Sequence, residues 1–372
     1  FAGCAVRAGD VLVELPASCQ LALPAAGTPG DPLCALDAEV PGELWGARLG
    51  LRLWRERAMG QASTFAPYVA MLPTEFPGVP HFWGEGAMAV LRQYPTAYAQ
   101  AAKRCRFLLD FASGPLAGHA AAVSQPLLGA GASPAEDAAS MGWALAAVSS
   151  RAFNVGGRRA LLPLVDMLNH GGALGANCAV EPEGGSGGGV RLVATRDTAE
   201  GEELLLDYGA LSTDFLLLDY GFVAAEGAAD RVSVAFDLGT LDAARSLGAP
   251  NAACGDPTAP DLAPRPFQAE KLQLLGLRTG DEVFIGGEGL VDGRLLAALR
   301  VMFAQAPKEL RGRDVASLQE LGRPLSGENE ASVMRTLLAL SALLLNRFPT
   351  TYEEDIGRLA GGCLGEDERL PP

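Results

Sequence analysis

The 372-residue chain is 49% hydrophobic and 20% charged, an ordinary globular balance, and at roughly 150 residues per domain its length fits two domains or one large domain with an insertion. Its 44 acidic residues against 29 basic ones leave a formal charge of -15, which repels a polyphosphate backbone and sets nucleic acid aside as a partner, while basic peptide segments stay open. The seven cysteines form no C-x-x-C pair and no apolar run reaches the roughly 18 residues that cross a bilayer, so the expectation is a soluble intracellular protein with no metal cluster, no disulfide framework and no membrane partner.

Phe1 is not an initiator, so the sequence reads as a mature or trimmed form. Residues 10 to 23, "DVLVELPASCQLAL", alternate apolar and polar before a proline and predict a short strand. Helical spacing follows from Glu43 to Met59 and from about Glu85 to Val123. In "SPAEDAASMGWALAAVSSRAF", Ser133 is the expected N-cap, Pro134 suits the first helical position, and Glu136 completes a capping box. That helix delivers Arg151 and Phe153 at its C-terminal end. Short strands are expected from about 160 to 208, interrupted by the glycine-rich "EGGSGGG", with a turn at Glu200-Gly201. Composition shifts near residue 226, the expected boundary. Beyond it helical patterns cover 267 to 276, 292 to 305 and 328 to 347, and "TTYEED" opens a last helix in which Thr350 and Glu353 have capping-box spacing.

Three patterns invite a chemical reading. Gly184 to Gly188, "GGSGG", matches a hydrolase elbow, but that fold needs a later histidine, and His81, His119 and His170 all precede Ser186. Asp166 and His170 in "LLPLVDMLNH" would share a helix face as metal ligands, yet no third ligand pattern stands nearby, and a lone imidazole is more often a satisfied, partly buried one. The third is "GEELLLDYGALSTDFLLLDYGF", with two Asp-Tyr-Gly triplets twelve residues apart. One such tyrosine is often a core ring with its hydroxyl at the rim. Two, each followed by a glycine that allows a sharp turn or a close approach, point further toward a site, with Ser212 as the cap of about two helical turns between them.

In this order, "LLPLVDMLNH", "ANC", "GEELLLDYG", "STDFLLLDYGF" and "NRFPTTYEED" resemble the SET-domain protein methyltransferases of the Rubisco large-subunit methyltransferase type, and the resemblance covers essentially the whole chain. It implies an α+β fold: a β-rich SET core with a pseudoknot over 1–225, a helical insertion at about 40–135, and an all-α substrate-binding domain over 226–372. It implies S-adenosylmethionine as cofactor, held by Arg151, Asn169, His170 and Tyr208, with Tyr208 also the catalytic residue. Arg151, Phe153, Asp166, Tyr220 and Phe222 are implied on the substrate side. Phe153, Tyr208, Tyr220 and Phe222 are expected to line one narrow apolar channel, and Arg151 to oppose a carboxylate at the amino-acid end of the cofactor. In the resembled family a glycine-containing cofactor loop lies just upstream of "VRAGDVLVELP", and a serine is common where Gly171 stands.

The resemblance thus implies a lysine N-methyltransferase acting as a monomer on a non-histone protein, with the chloroplast ahead of the cytoplasm. A histidine-methylating branch is the neighbouring alternative. It has an amide where this chain has Phe153 and a tryptophan where it has Val165. A SET-fold binding module without turnover is the alternative from another class.

Overall fold

The alternating stretch at the start of the chain forms β1 (Val11–Leu15), followed by β2 (Leu21–Ala22), β3 (Ala152–Val155), β4 (Arg158–Leu161), β5 (Asn169–His170), β6 (Cys178–Pro182), β7 (Val190–Ala194) and β8 (Leu205–Leu206). They pair in the orders β1-β7-β6-β8-β5 and β2-β4-β3. β8, the last of them in sequence, lies between β6 and β5 and runs parallel to both, so the "ELLLDY" segment is inserted beside the "NH" segment rather than added at an edge. Val190, Leu192 and Ala194 alternate inward along β7, and Val190 and Leu192 meet Leu15, Leu162, Val165, Cys178 and Leu206 in the core behind the site. This computed structural model describes residues 1–24, 31–122, 128, 133–183, 188–224, 227, 229–248, 264–287 and 289–361. Ser186, Cys254 and Cys363 lie outside them, as does most of the "GGSGG" pattern.

Between β2 and β3 the chain builds a helical layer: α1 (Cys34–Ala38), α2 (Trp45–Met59), α3 (Ala66–Met71), α4 (Glu85–Leu91), α5 (Pro95–Phe111), α6 (Ala117–Ala122) and α7 (Pro134–Arg151). Ser133 caps α7 as the sequence predicts, accepting from the Glu136 N–H while its hydroxyl donates to the Glu136 carboxylate. Leu49, Leu53 and Trp54 of α2 pack with Met141, Ala144 and Val148 of α7 in a core that anchors the end of α7, and hence Arg151. Arg52 is buried within this layer, neutralised by Asp31 and Asp37.

The chain divides into two units, Phe1–Ala225 and Glu226–Gly365. The second is mainly helical, built around the buried helix Gly293–Phe303 and the long helix Gly327–Leu345. It also holds an antiparallel ribbon of β9 (Arg231–Ala235) and β10 (Glu282–Gly286), which corrects the all-α expectation for this region. "RVSVA" and "EVFIG" both alternate, but they are some fifty residues apart, and strands pairing over that distance leave no turn signal between them. The capping box of the last helix, Tyr352–Gly361, uses Thr351 and Glu354, one position after the expected pair. No helix among the described residues is long and apolar enough to cross a membrane.

Candidate functional site

The apolar run that ends in Asn169 and His170 is neither one strand nor one helix. After β4 the backbone turns at Leu164, a non-glycine residue at φ 73°, makes a single 3-10 turn over Val165–Met167, and enters β5. Asp166 and His170 therefore share no helix face. Among the described residues no group of three or more His, Cys, Asp or Glu side chains is placed to hold a metal ion. His170 is used locally: its Nδ1 accepts the Tyr208 N–H at 3.1 Å, and the Gly172 N–H points at the same atom from 3.4 Å. An Nδ1 that accepts leaves the proton of a neutral ring on Nε2. Gly171 is required here, because a Cβ would come within 2.9 Å of Leu205 Cβ and 3.0 Å of the Ala176 nitrogen.

Tyr208 follows β8 and is held on three sides. Its ring stacks on His170 with centroids 5.0 Å apart and on Tyr220 at 5.1 Å, and Phe222 packs edge-on against Tyr220. Its hydroxyl donates to the Leu168 carbonyl at 2.6 Å, which leaves the phenolic oxygen free to accept. Burial raises its pKa, and burial followed by the nearby Tyr208 and Asp219 pushes Tyr220 up to about 12, so both phenols are neutral at physiological pH.

The second triplet comes back to the first through one turn of helix at Thr213–Phe215 and a π turn over Leu216–Tyr220, closed by Gly221 at φ 78°. Ser212 occupies the cap position, but its hydroxyl bonds the Asp214 carboxylate rather than the backbone. Arg104 of α5 fixes the far end, with Nη2 2.6 Å from Asp219 Oδ1 and Nη1 donating to the Leu218 carbonyl. Gly221 lies against Gly78, where an added Cβ would stand 2.0 Å from the Gly221 carbonyl oxygen. The segment around Gly78 is in turn pinned by two indoles, Trp143 donating to the Pro73 carbonyl and Trp83 to that of Pro77, both at 2.9 Å. None of these insertion residues was visible as a site residue in the sequence, because nothing local distinguishes them from core tryptophans and a surface arginine.

Arg151, at the end of α7, donates through Nη1 to the main-chain carbonyl of Asp166 at 2.8 Å, and not to its carboxylate. That carboxylate is bonded instead by the hydroxyl of Tyr68 from α3. Arg151 Nε and Asp166 Oδ1 are both buried without a partner. Burial pushes the Asp166 carboxyl up to about 6, although the Tyr68 hydroxyl and the Arg151 guanidinium pull the other way. Tyr68 escapes sequence reasoning for the same reason as the tryptophans.

Two cavities among the described residues take up these side chains. The larger, about 560 Å³, is lined by Arg151, Asp166, Asn169, His170, Tyr208, Tyr220 and Phe222, with further lining from the 73–79 segment of the insertion. Asn169 reaches Glu203, its Nδ2 donating to Oε1 at 2.8 Å. The smaller, about 370 Å³, is a groove between the edge strand β3 and β6, lined by Phe153, Val155, Cys178, Val180, Leu206 and Asp207. The single channel expected of Phe153, Tyr208, Tyr220 and Phe222 is therefore corrected: Phe153 faces the groove, and the other three face the cavity. The cause is the change from helix to strand at Ala152, which carries the chain from one to the other between Arg151 and Phe153. Leu206 to Tyr208 makes the same passage. Two segments that cross within three residues keep the cavity and the groove within roughly 10 Å of each other.

The SET domain family model matches residues 1–209, and that of the Rubisco LSMT substrate-binding region matches residues 264–370. An actin-histidine N-methyltransferase of Danio rerio is 26% identical over 346 residues, 87% of this chain and 52% of that protein. One of Xenopus tropicalis is 27% identical over 229 residues, 57% of this chain and 35% of that protein. The chain thus spans about half the length, or less, of these curated relatives. Both come from animals and lend the chloroplast expectation no support. Among solved structures, the SET domain of LSMT bound to lysine and AdoHcy superposes with a TM-score of 0.65 at 17% identity, covering 98% of this chain and 78% of that one. Rubisco LSMT bound to AdoMet gives 0.64 with the same identity and coverage. At this identity the likeness shows the fold alone.

Proposed function

The chain belongs to the SET-domain family, and from that premise we propose that it is an S-adenosylmethionine-dependent protein N-methyltransferase whose acceptor is a lysine side chain of a non-histone protein. The observation that carries the reading is the pairing of a polar cavity with a strand-edge groove, linked by the segment from Leu206 to Tyr208, in which Leu206 and Asp207 line the groove and Tyr208 the cavity. The cavity is within the roughly 300–1,000 Å³ of small-molecule sites. The unpartnered Arg151 Nε in its wall fits a cofactor with a carboxylate, since a buried guanidinium N–H without an acceptor is costly. Arg151, Asn169, His170 and Tyr208 would hold that cofactor, which when bound supplies a methyl group on a positively charged sulfur.

What the chain's own residues do is position and desolvate. A free lysine has a pKa near ~10.4, so presenting it neutral at pH 7.4 costs about 4 kcal/mol. The groove is apolar on Phe153, Val155, Val180 and Leu206, and desolvation there lowers the ammonium pKa. Tyr208, neutral and already donating to Leu168, has an oxygen lone pair left to accept from the amine and aim its nitrogen toward the cavity. It acts by orientation and not as a base. In this reading Tyr220 and Phe222 brace Tyr208, the unit from residue 226 onward holds the protein substrate, and the enzyme works as a monomer.

A histidine acceptor is the second reading, favoured by the names of the curated relatives. Phe153 and Val165 support lysine over it: Phe153 offers no amide to an imidazole, and Val165 is buried with no indole to stack. The deciding experiment is methyl transfer from labelled S-adenosylmethionine to proteins of an extract, with mass spectrometry of the marked residue. Methyl-lysine is expected. Methyl-histidine replaces the first reading with the second, and bound cofactor without transfer to any protein leaves a binding module.

A further inference from the structure

Tyr68 belongs to α3, far in sequence from every motif that marks the site, yet it makes the one side-chain hydrogen bond to the Asp166 carboxylate. Both residues are 5% exposed. A buried carboxylate needs compensation, and here Tyr68 provides it from one side while Arg151 holds the main-chain carbonyl of the same residue from the other. Asp166 sits in the 3-10 turn three residues before Asn169, so whatever fixes Asp166 fixes the approach to β5. We propose that Tyr68 is a positioning residue for the cofactor cavity: its hydroxyl holds the Asp166 carboxylate in place as a buried negative charge in the wall that receives a cationic cofactor. This rests on the reading of the cavity as an S-adenosylmethionine site.

The groups facing Asp166 are Tyr68 from α3, Arg151 from α7 and Tyr208 after β8, and Glu75, His170 and Tyr220 complete the titratable lining of the cavity. Because burial holds the Asp166 carboxyl at about 6, protonation removes the charge as pH falls through that value. Losing the Tyr68 hydroxyl removes a group that stabilises the ionised form, so the same transition moves to higher pH. The pair thereby makes cofactor affinity depend on pH on its acid side.

The test is calorimetric titration of S-adenosylmethionine into the full chain from about pH 5 to about pH 9, for wild type, Tyr68→Phe and Asp166→Asn. Wild type is expected to lose affinity below about pH 6. Tyr68→Phe is expected to bind roughly 3- to 10-fold more weakly near pH 7 and to recover wild-type affinity near pH 9, a recovery that a merely misfolded variant does not show. Asp166→Asn flattens the acid limb, which assigns it to Asp166 and not to His170. Tyr68→Phe with an unmoved midpoint, or with a loss equal at every pH, overturns the role of Tyr68. A wild type that binds no cofactor at any pH overturns the cavity reading itself, a different failure with a different signature.

Discussion

The cavity and the groove are built in different ways from the same unit. Five separate stretches of chain line the cavity, at 73–79, 150–151, 166–170, 208 and 220–222, and its polar groups meet only because segments distant in sequence converge there. The groove is made by three short runs, 153–156, 178–180 with Pro182, and 206–207, whose lining side chains are apolar apart from Asn154 and Asp207. The difference teaches where each can be damaged. A wall assembled from distant polar groups fails when one hydrogen bond or one close backbone contact is lost, whereas a wall of strand side chains changes shape but keeps its backbone.

The largest expected effect is at Tyr208, the cavity residue that directly follows Leu206 and Asp207 of the groove. Tyr208→Phe removes an acceptor aimed at the amine while leaving the stack on His170 and Tyr220, so kcat is expected to fall by roughly 10²-fold or more, with cofactor Kd within about 3-fold. Equal turnover by the variant removes Tyr208 from the chemistry. Next comes the separation of the two walls. Phe153→Ala is expected to raise KM for the protein substrate about 10-fold and leave cofactor Kd unchanged, and Arg151→Ala to do the reverse, each losing roughly 1–3 kcal/mol of binding. Crossed effects in calorimetry and steady-state kinetics would break the comparison.

Gly78→Ala places a methyl group against the Gly221 backbone, and since backbone cannot step aside as a side chain does, about 1–3 kcal/mol of stability should be lost in a denaturant titration. The last is a pH effect on folding, spread over about two pH units. The Asp166 pKa of about 6 stands above its ordinary 3.8, so the folded state binds this proton more tightly than the unfolded one. Its contribution to stability is full below about pH 4 and is lost as pH rises through about 6, a loss of up to about 3 kcal/mol in all. Wild type should therefore lose ground to Asp166→Asn between those values in paired thermal melts, by about 2–4 °C per kcal/mol. The charge is held at a cost to the fold, as expected of a group kept for binding.

Much of this is legible in the sequence. Ser133 and Glu136 fix where α7 begins, and the length of the apolar pattern carries it to Arg151, so the position of that arginine at a helix end follows from local signals. The two Asp-Tyr-Gly triplets, with glycines able to turn, announce rings that return to one place. Phe153 shows the limit: it stands two residues beyond Arg151, and spacing alone groups it with the tyrosines because it does not reveal that the chain crosses a wall at Ala152. The β9–β10 ribbon shows a second limit, since two alternating strands carry no record of their partner when the connection is long.

The sequence by itself determined the elements, the order of the motifs and the residues able to do chemistry, because capping, periodicity and glycine placement act over a few neighbouring positions. Only the tertiary structure decided that Tyr68 bonds Asp166, that Gly78 abuts Gly221, that Trp83 and Trp143 pin the segment between them, and that the tyrosines and Phe153 face different spaces. These are contacts between surfaces brought together by packing, and a buried polar atom finds its partner by proximity in space, for which distance along the chain holds no information.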